Sequence, residues 1–156
     1  MQGYYKKPEE TAKAVDVEGW LHTGDVVVLR EDGFIRFFGR YKELLKVGGE
    51  NVDPAEVEAF LLGHPAVSKV QIVGVPDPRL SEVACACVVP KSGQKVSNED
   101  LVAFCRWKLA SFKIPRYTLV MQEYPMTSSG KVQKFKLREM AIEELGLHQA
   151  AHVETA

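Results

Sequence analysis

The sequence predicts an α+β fold, in which helices pack on a small mixed β-sheet in two layers and a β-hairpin comes first. Three observations carry this prediction. An Asp-Gly pair lies between two runs of β-branched and aromatic residues, three later segments repeat apolar residues at helical spacing, and two long apolar runs have strand character. The chain has 156 residues, 46% hydrophobic and 26% charged, as in soluble globular proteins.

The first 41 residues combine a loop-rich segment with the hairpin. Residues 1–23 hold no persistent apolar period and no stretch that can form a core alone, so we predict a loop-rich segment there and expect the end of something larger. The hairpin strands are predicted at 26–29 and 34–38, because Asp32-Gly33 is a strong turn signal between such runs.

The first helix of the following region has a clear start. A short strand is predicted at 44–47, before Gly48-Gly49, which we interpret as a tight turn into the helix. Asp53 is the expected N-cap, and Glu56 is expected to complete a capping box.

The remaining elements give the predicted order β-α-β-β-α-β-α from residue 43. They are strands at 67–75, 82–89 and 117–121, a helix capped by Ser97 and Asp100, and a helix over about 135–145 that Gly146 ends. We therefore predict a second domain over 42–146 and a disordered tail over 147–156.

Composition excludes several classes of protein. The longest apolar runs, such as 83–89, are too short to span a bilayer, and no signal-peptide segment opens the chain. Three cysteines cannot form a disulfide framework and suit a reducing cytosol. Cys85 and Cys87 point to one face of a strand and fit a core better than zinc, since no second pair completes a tetrahedral set; we expect no metal site.

The formal charge of −1 hides an uneven distribution. Residues 106–138 carry eight Lys and Arg against one Glu, whereas 1–105 and 139–156 are both net acidic. This basic segment lacks the signatures of RNA-binding or helix-turn-helix domains, so we expect no nucleic-acid partner.

Residues 127–131, Thr-Ser-Ser-Gly-Lys, are the most polar candidate loop. A Walker phosphate loop is excluded, because its first Gly is absent and Val132 follows the lysine. Two interpretations stay open: the turn places the Lys131 ammonium beside a phosphate or carboxylate, or Lys131 is an ordinary solvated lysine. From spacing alone, the loops at 23–25, 39–43 and 48–50 can be interpreted only as ordinary turns or as anion-binding loops.

Four stretches in a fixed order carry a resemblance to a known family. Residues 19–25 read Gly-Trp-Leu-His-Thr-Gly-Asp, 39–43 read Gly-Arg-Tyr-Lys-Glu, 48–58 read Gly-Gly-Glu-Asn-Val-Asp-Pro-Ala-Glu-Val-Glu, and 129–131 read Ser-Gly-Lys. Together they resemble the adenylate-forming superfamily of acyl-CoA synthetases. Residues 112–115 and 129–139 resemble its fatty-acid–CoA ligase branch, which includes acyl-CoA synthetase family member 2. The resemblance covers residues 1–146 and places Met1 inside a family motif, so we do not expect Met1 to begin a complete enzyme.

The resemblance implies an ATP-dependent acid–CoA ligase. Such enzymes convert a carboxylic acid and ATP to an acyl-adenylate and pyrophosphate, and then transfer the acyl group to the CoA thiol. The chain is then the end of a large N-terminal AMP-binding domain joined to a mobile C-terminal domain. It is expected to be inactive alone, with Mg²⁺ supplied through the N-terminal domain and a fatty acid as substrate. The expected compartment is the cytoplasm or an organelle interior. The alternative is a stand-alone CoA- or nucleotide-binding regulatory module.

The resemblance also implies roles on the ATP side. Asp25 is expected to accept hydrogen bonds from the ribose hydroxyls, and Arg40 to contact the ribose and a nearby phosphate. Lys42 occupies the position of the hinge. Lys131 corresponds to the adenylation lysine, whose charge bridges the substrate carboxylate and the α-phosphate.

On the CoA side, the turn of Gly48, Gly49 and Glu50 is expected to face the pantetheine arm, since glycines let the backbone approach closely. Phe112 and Lys113 correspond to positions that touch the CoA nucleotide.

Two departures from the family pattern affect the expected CoA contacts. Leu80-Ser81 lies where many relatives have a Trp-Gly pair, and Ile114 replaces a basic residue. Both put the adenine contacts in doubt.

Overall fold

The computed structural model describes residues 1–148, which divide into two compact units. The first unit is Met1–Lys42 and the second starts at Glu43. The tail predicted over 147–156 lies outside the described residues from position 149 onward. Among residues 1–148, the structure has no helix whose length and apolar character would let it cross a membrane.

The first unit contains a short helix and a two-stranded hairpin. Helix α1 is Pro8–Ala14, and strands β1 and β2 are Asp25–Leu29 and Ile35–Arg40. The strands pair antiparallel with a bulge after Val26, and Gly33 in the turn has φ +82°. The hairpin is therefore where the Asp-Gly signal predicts it.

One face of this hairpin is uncovered and apolar. Val27 lies opposite Phe37 and Leu29 opposite Ile35, which places these four side chains on one face because strand side chains alternate. Each of them is between 47% and 71% exposed. The described residues of the first unit include none that is fully buried.

The segment predicted to be loop-rich, residues 1–23, contains one short helix, α1, that the sequence analysis did not predict. Pro8 at the first helical position with Glu9 and Glu10 in the first turn is a helix-start signal. The helix buries none of its residues, so no apolar period marks it in the sequence.

The second unit is built around a five-stranded mixed sheet. Its strands are β3 (Leu45–Val47), β4 (Glu50–Val52), β5 (Val67–Asp77), β6 (Ser81–Pro90) and β7 (Tyr117–Val120). The strands run in the order β4-β3-β6-β5, and β7 also pairs with β6. Only the β6–β7 pairing is parallel. The predicted α+β fold with a mixed sheet is confirmed.

Three helices accompany this sheet: α2 (Pro54–Leu61), α3 (Asn98–Cys105) and α4 (Lys134–Glu144). Asp53 caps α2 as predicted, its side chain accepting from the Ala55 N–H at 2.9 Å. The predicted Ser97–Asp100 capping box is present at the start of α3. The box predicted with Glu56 was wrong, because the Glu56 carboxylate instead binds the Lys113 ammonium at 2.7 Å.

The core lies where β5 and β6 meet the helices. The six consecutive residues 83–88 of β6 are all buried, so both faces of this central strand are covered. Leu61, Leu101 and Leu137 bring α2, α3 and α4 into the same cluster. Cys85 and Cys87 belong to it as well, and both are free thiols.

The predicted element order missed one strand. Gly48-Gly49 does not lead directly into α2 but turns the chain from β3 into β4, with Leu45 opposite Val52. A strand of three residues is too short to show alternation in the sequence. The glycine turn is therefore held in a hairpin of the sheet.

Candidate functional site

The turn that carries Lys131 is closed by hydrogen bonds on both sides. The Lys131 N–H donates to Thr127 Oγ1 at 3.0 Å, and the Lys131 carbonyl accepts from the Thr127 N–H at 2.8 Å. Ser129 Oγ lies 2.9 Å from Thr127 Oγ1, and Gly130 has φ +78°, a conformation that favours glycine. The backbone of the turn is thus well defined.

The Lys131 side chain is exposed, and no carboxylate among residues 1–148 forms an ion pair with it. Three other cations of the same basic segment differ in this respect: Lys113, Arg116 and Lys134 are each paired with an acidic side chain. Lys131 therefore presents an unneutralised charge on a fixed turn. Both interpretations left open by the sequence, an anion contact and a solvated lysine, are compatible with this geometry.

Asp25 and Arg40 lie together on the hairpin. They are opposite each other in the β1–β2 register, and Arg40 Nε is 3.4 Å from Asp25 Oδ1. The Thr23 hydroxyl accepts from the Asp25 N–H at 3.2 Å. The structure thus presents a carboxylate and a guanidinium, 30% and 65% exposed, at one end of the hairpin.

Lys42 lies in a short 3₁₀ helix, Tyr41–Glu43, that follows β2 directly. It is exposed, and it is the last residue of the first unit. Its role as a hinge stays a prediction.

The glycine turn is packed against the loop between β5 and β6. Gly48 has φ +59°, and its N–H donates to the Leu80 carbonyl at 2.9 Å. A Cβ on Gly48 would lie 2.9 Å from Leu80 Cδ2, whereas one on Gly49 would meet nothing within 4 Å. The backbone angle therefore favours glycine at position 48, and any Cβ there would also displace the end of the Leu80 side chain. Glu50 is exposed at the start of β4.

A buried carboxylate holds the Leu80 loop in place. Asp77 Oδ1 accepts from the N–H groups of Arg79 and Leu80 at 2.9 and 3.0 Å, and Asp77 Oδ2 pairs with Arg116 Nη1 at 2.6 Å. Burial alone would raise the pKa of Asp77, but these two hydrogen bonds and the charges of Arg116 and Arg79 outweigh it and hold that pKa below its usual value. The side chain is 5% exposed, so it stays an anion inside the fold.

Phe112 and Lys113 form a 3₁₀ turn, Ser111–Lys113, beside this loop. Phe112, Leu80 and Ile114 line a groove of about 340 Å³ together with Val47 and Pro115. The residues expected to contact CoA and the two departures from the family pattern therefore lie in one region of the second unit. The charge of Lys113 is engaged there, because its ammonium binds both oxygens of Glu56 at 2.7 Å.

Sequence reasoning missed two ion pairs next to these residues. One is Asp77–Arg116, and the other is Lys134 Nζ to Glu58 Oε1 at 2.9 Å. Their partners are 39 and 76 residues apart in the chain, so no local pattern indicates either pair. Among the described residues, no group of three or more His, Cys, Asp or Glu side chains could hold a metal ion.

Comparison with known proteins identifies the domain. Residues 56–131 match the sequence family described as the AMP-binding enzyme C-terminal domain. The chain is 52% identical over 147 residues to YngI of Bacillus subtilis (strain 168), which is named as an acyl-CoA synthetase. It is 47% identical over 147 residues to the human mitochondrial medium-chain acyl-CoA ligase ACSF2.

These matches cover 94% of this chain but only 27% of YngI and 24% of ACSF2. The chain thus spans about a quarter of the length of the curated relatives it matches. Among solved structures, ATP-bound MatB from Rhodopseudomonas palustris superposes with a TM-score of 0.83 at 32% identity, over 90% of this chain and 28% of that one. Residues 56–131 are therefore an AMP-binding enzyme C-terminal domain, and the homologues of this chain are acyl-CoA synthetases.

Proposed function

We propose that this chain is the C-terminal part of an ATP-dependent acid–CoA ligase, which first forms an acyl-adenylate with release of pyrophosphate and then transfers the acyl group to CoA. The observation that carries the proposal is the unpaired Lys131 ammonium on a hydrogen-bonded turn, within a domain homologous to acyl-CoA synthetases.

Lys131 acts as an electrostatic catalyst in the adenylation step. As the substrate carboxylate attacks the α-phosphate, negative charge is redistributed over both groups, and a cation between them lowers the barrier. An ammonium in water gains little from such contacts, because bulk solvent screens them. The exposed Lys131 therefore depends on a water-poor site supplied by the N-terminal domain of the complete enzyme.

Asp25 and Arg40 bind the nucleotide in this proposal. Their carboxylate and guanidinium lie next to each other, so one accepts hydrogen bonds from the ribose hydroxyls while the other donates to the ribose and a phosphate. Lys42 is the hinge that exchanges the Lys131 turn for the Gly48-Gly49 turn between the two half-reactions.

The CoA-side residues act in the second half-reaction. The Gly48-Gly49 turn, with Glu50 beside it, lets the backbone approach the pantetheine arm, and Phe112 offers apolar surface to the CoA nucleotide. Lys113 reaches a CoA phosphate only by sharing or leaving Glu56, which supports a smaller role for this lysine than for Lys131.

We further propose a fatty acid as the carboxylic substrate, because the human relative at 47% identity is named a medium-chain acyl-CoA ligase. Mg²⁺ bound through the N-terminal domain, and a cytoplasmic or organelle compartment, remain predictions from the family resemblance.

The test uses the complete enzyme that contains this chain, with Lys131→Ala and the control Lys91→Ala, an exposed lysine in another turn. We expect Lys131→Ala to slow pyrophosphate release with a panel of acids by about 10²- to 10³-fold. Thioester formation from supplied acyl-adenylate and CoA should stay within about twofold of wild type, since Lys131 takes no part in it. Lys91→Ala should change neither rate.

Two outcomes would count against the proposal. Equal loss of both half-reactions in Lys131→Ala would remove the adenylation role. An open reading frame with no AMP-binding domain upstream, together with CoA or nucleotide binding by this chain alone, would instead support the stand-alone regulatory module.

A further inference from the structure

Lys134 places a positive charge at the N-terminus of helix α4. It is the first residue of α4, and the first turn of this helix contains Lys134 and Lys136 but no acidic residue. The N-terminus of a helix carries the positive end of its dipole, so a cation there is unfavourable unless an anion lies nearby. The anion comes from another helix: Glu58 of α2 reaches Lys134 Nζ at 2.9 Å.

Glu58 is itself fixed by the sheet. Its Oε1 accepts from the Ile72 N–H of β5 at 2.8 Å, and the side chain is only 16% exposed. Its carboxylate therefore joins α2, β5 and the start of α4. One turn further along α4, Arg138 Nε donates to the Gly74 carbonyl of β5 at 2.8 Å, so the helix is linked to that strand directly by Arg138 and indirectly through Glu58.

The start of α4 is rigidly connected to the Lys131 turn. Only two residues separate Lys131 from Lys134, and both have tied backbones: Val132 forms an isolated bridge to Met126, and the Gln133 N–H donates to the Pro125 carbonyl at 2.9 Å. A shift at the start of α4 would consequently move the turn that carries Lys131.

A second carboxylate near Lys134 belongs to Glu43, the last residue of the 3₁₀ helix Tyr41–Glu43. Glu43 Oε2 is 3.9 Å from Lys134 Nζ, and Glu43 directly follows Lys42. This contact is longer and more exposed than the one to Glu58, so Glu58 is the principal partner.

We propose that Lys134, through its pair with Glu58, is a positioning residue for adenylation: it holds the start of α4 so that the Lys131 turn presents its ammonium correctly. The inference rests on the proposed function of Lys131. It makes Lys134 an indirect participant that touches neither ATP nor the acid. Its neutralised charge separates it from the unpaired Lys131 three residues earlier.

The test compares Lys134→Ala, Lys134→Arg, Glu58→Gln, Lys131→Ala and the double variant Lys131→Ala/Lys134→Ala in the complete enzyme, with Lys91→Ala as control. Each half-reaction is measured separately, as pyrophosphate release and as thioester formation from supplied acyl-adenylate. We expect Lys134→Ala and Glu58→Gln to slow adenylation by about tenfold to a hundredfold, because small displacements of a catalytic group cost that much. Thioester formation should stay within about twofold.

Two further readouts separate positioning from a merely structural role. Lys134→Arg should recover most of the adenylation rate, because it keeps the charge that pairs with Glu58. The double variant should adenylate no more slowly than Lys131→Ala, since Lys134 acts only through Lys131. If Lys134→Ala does not fold, Glu58→Gln decides, because its amide oxygen can still accept from Ile72.

Four results would overturn the inference: wild-type adenylation in both Lys134→Ala and Glu58→Gln, equal loss of both half-reactions, no recovery with Lys134→Arg, or an additive loss in the double variant. Wild-type adenylation in Lys131→Ala would remove the proposed function itself, whatever the Lys134 variants do.

Discussion

The loop that supports the glycine turn should depend on the buried carboxylate of Asp77. Asp77→Ala removes three hydrogen bonds, from the N–H groups of Arg79 and Leu80 and from the Arg116 guanidinium. The Arg116 side chain is 51% exposed, so it can be rehydrated and its pair contributes about 1 kcal/mol or less. Each of the two N–H bonds to the carboxylate adds about 1 kcal/mol, so that with the ion pair the total loss is about 2–3 kcal/mol.

Urea unfolding followed by far-UV circular dichroism measures this loss. With an m-value of about 2 kcal/mol/M, the midpoint should fall by about 1 M or slightly more for Asp77→Ala. Arg116→Ala is the matched control: it removes only the ion pair and should lower the midpoint by less than half as much. Tryptophan fluorescence is a poor probe, because Trp20 and Trp107 are 70% and 94% exposed in the folded chain.

The contribution of Asp77 should also depend on pH. Its pKa is lowered in the folded state relative to the ordinary value of 3.8, so the folded chain binds this proton less readily than the unfolded chain. The stabilisation is therefore present above pH 3.8 and is lost as the pH falls through the folded pKa. The difference between wild type and Asp77→Ala should be constant from pH 7 to 5 and smaller at pH 3. A difference that stays the same down to pH 3, or no difference at pH 7, would refute this account.

Two more predictions concern single residues. Gly48→Ala should destabilise the domain and slow thioester formation about tenfold or more in the complete enzyme, because φ is +59° and the new Cβ would lie 2.9 Å from Leu80 Cδ2. Gly93→Ala, at φ +75° with no atom within 4 Å, is the control for backbone strain alone; an equal effect on the rate would contradict the steric explanation. Ser97→Ala removes one half of a capping box and should cost about 1 kcal/mol in urea unfolding, and an unchanged midpoint would mean that the cap contributes nothing.

Local signals predicted the elements whose cause is local. Asp32-Gly33 marked the hairpin turn, Asp53 the start of α2, and Ser97 with Asp100 the start of α3, because each acts on atoms only a few residues away. α1 was missed for the complementary reason: a helix that buries nothing has no apolar period, although Pro8 marked its start.

The candidate site was predictable in part. The family resemblance pointed to Lys131, Asp25 and Arg40, and the structure places Asp25 and Arg40 side by side on paired strands. The ion pair at the start of α4 could not be predicted, because Glu58 and Lys134 are 76 residues apart in the chain. Such a pair follows only from the packing of α2 and α4 on β5.

The basic segment shows why a count of charges does not locate an anion site. The sequence indicated a net +7 over residues 106–138, which suggested a surface facing phosphates. In the fold, Lys113, Arg116 and Lys134 bind Glu56, Asp77 and Glu58, all of which come from the acidic first part of the chain. These three pairs neutralise part of the basic segment inside one domain. Lys131 is not one of these paired cations, and its backbone lies on a hydrogen-bonded turn, so its removal should affect chemistry, whereas removal of a paired cation should also affect the fold.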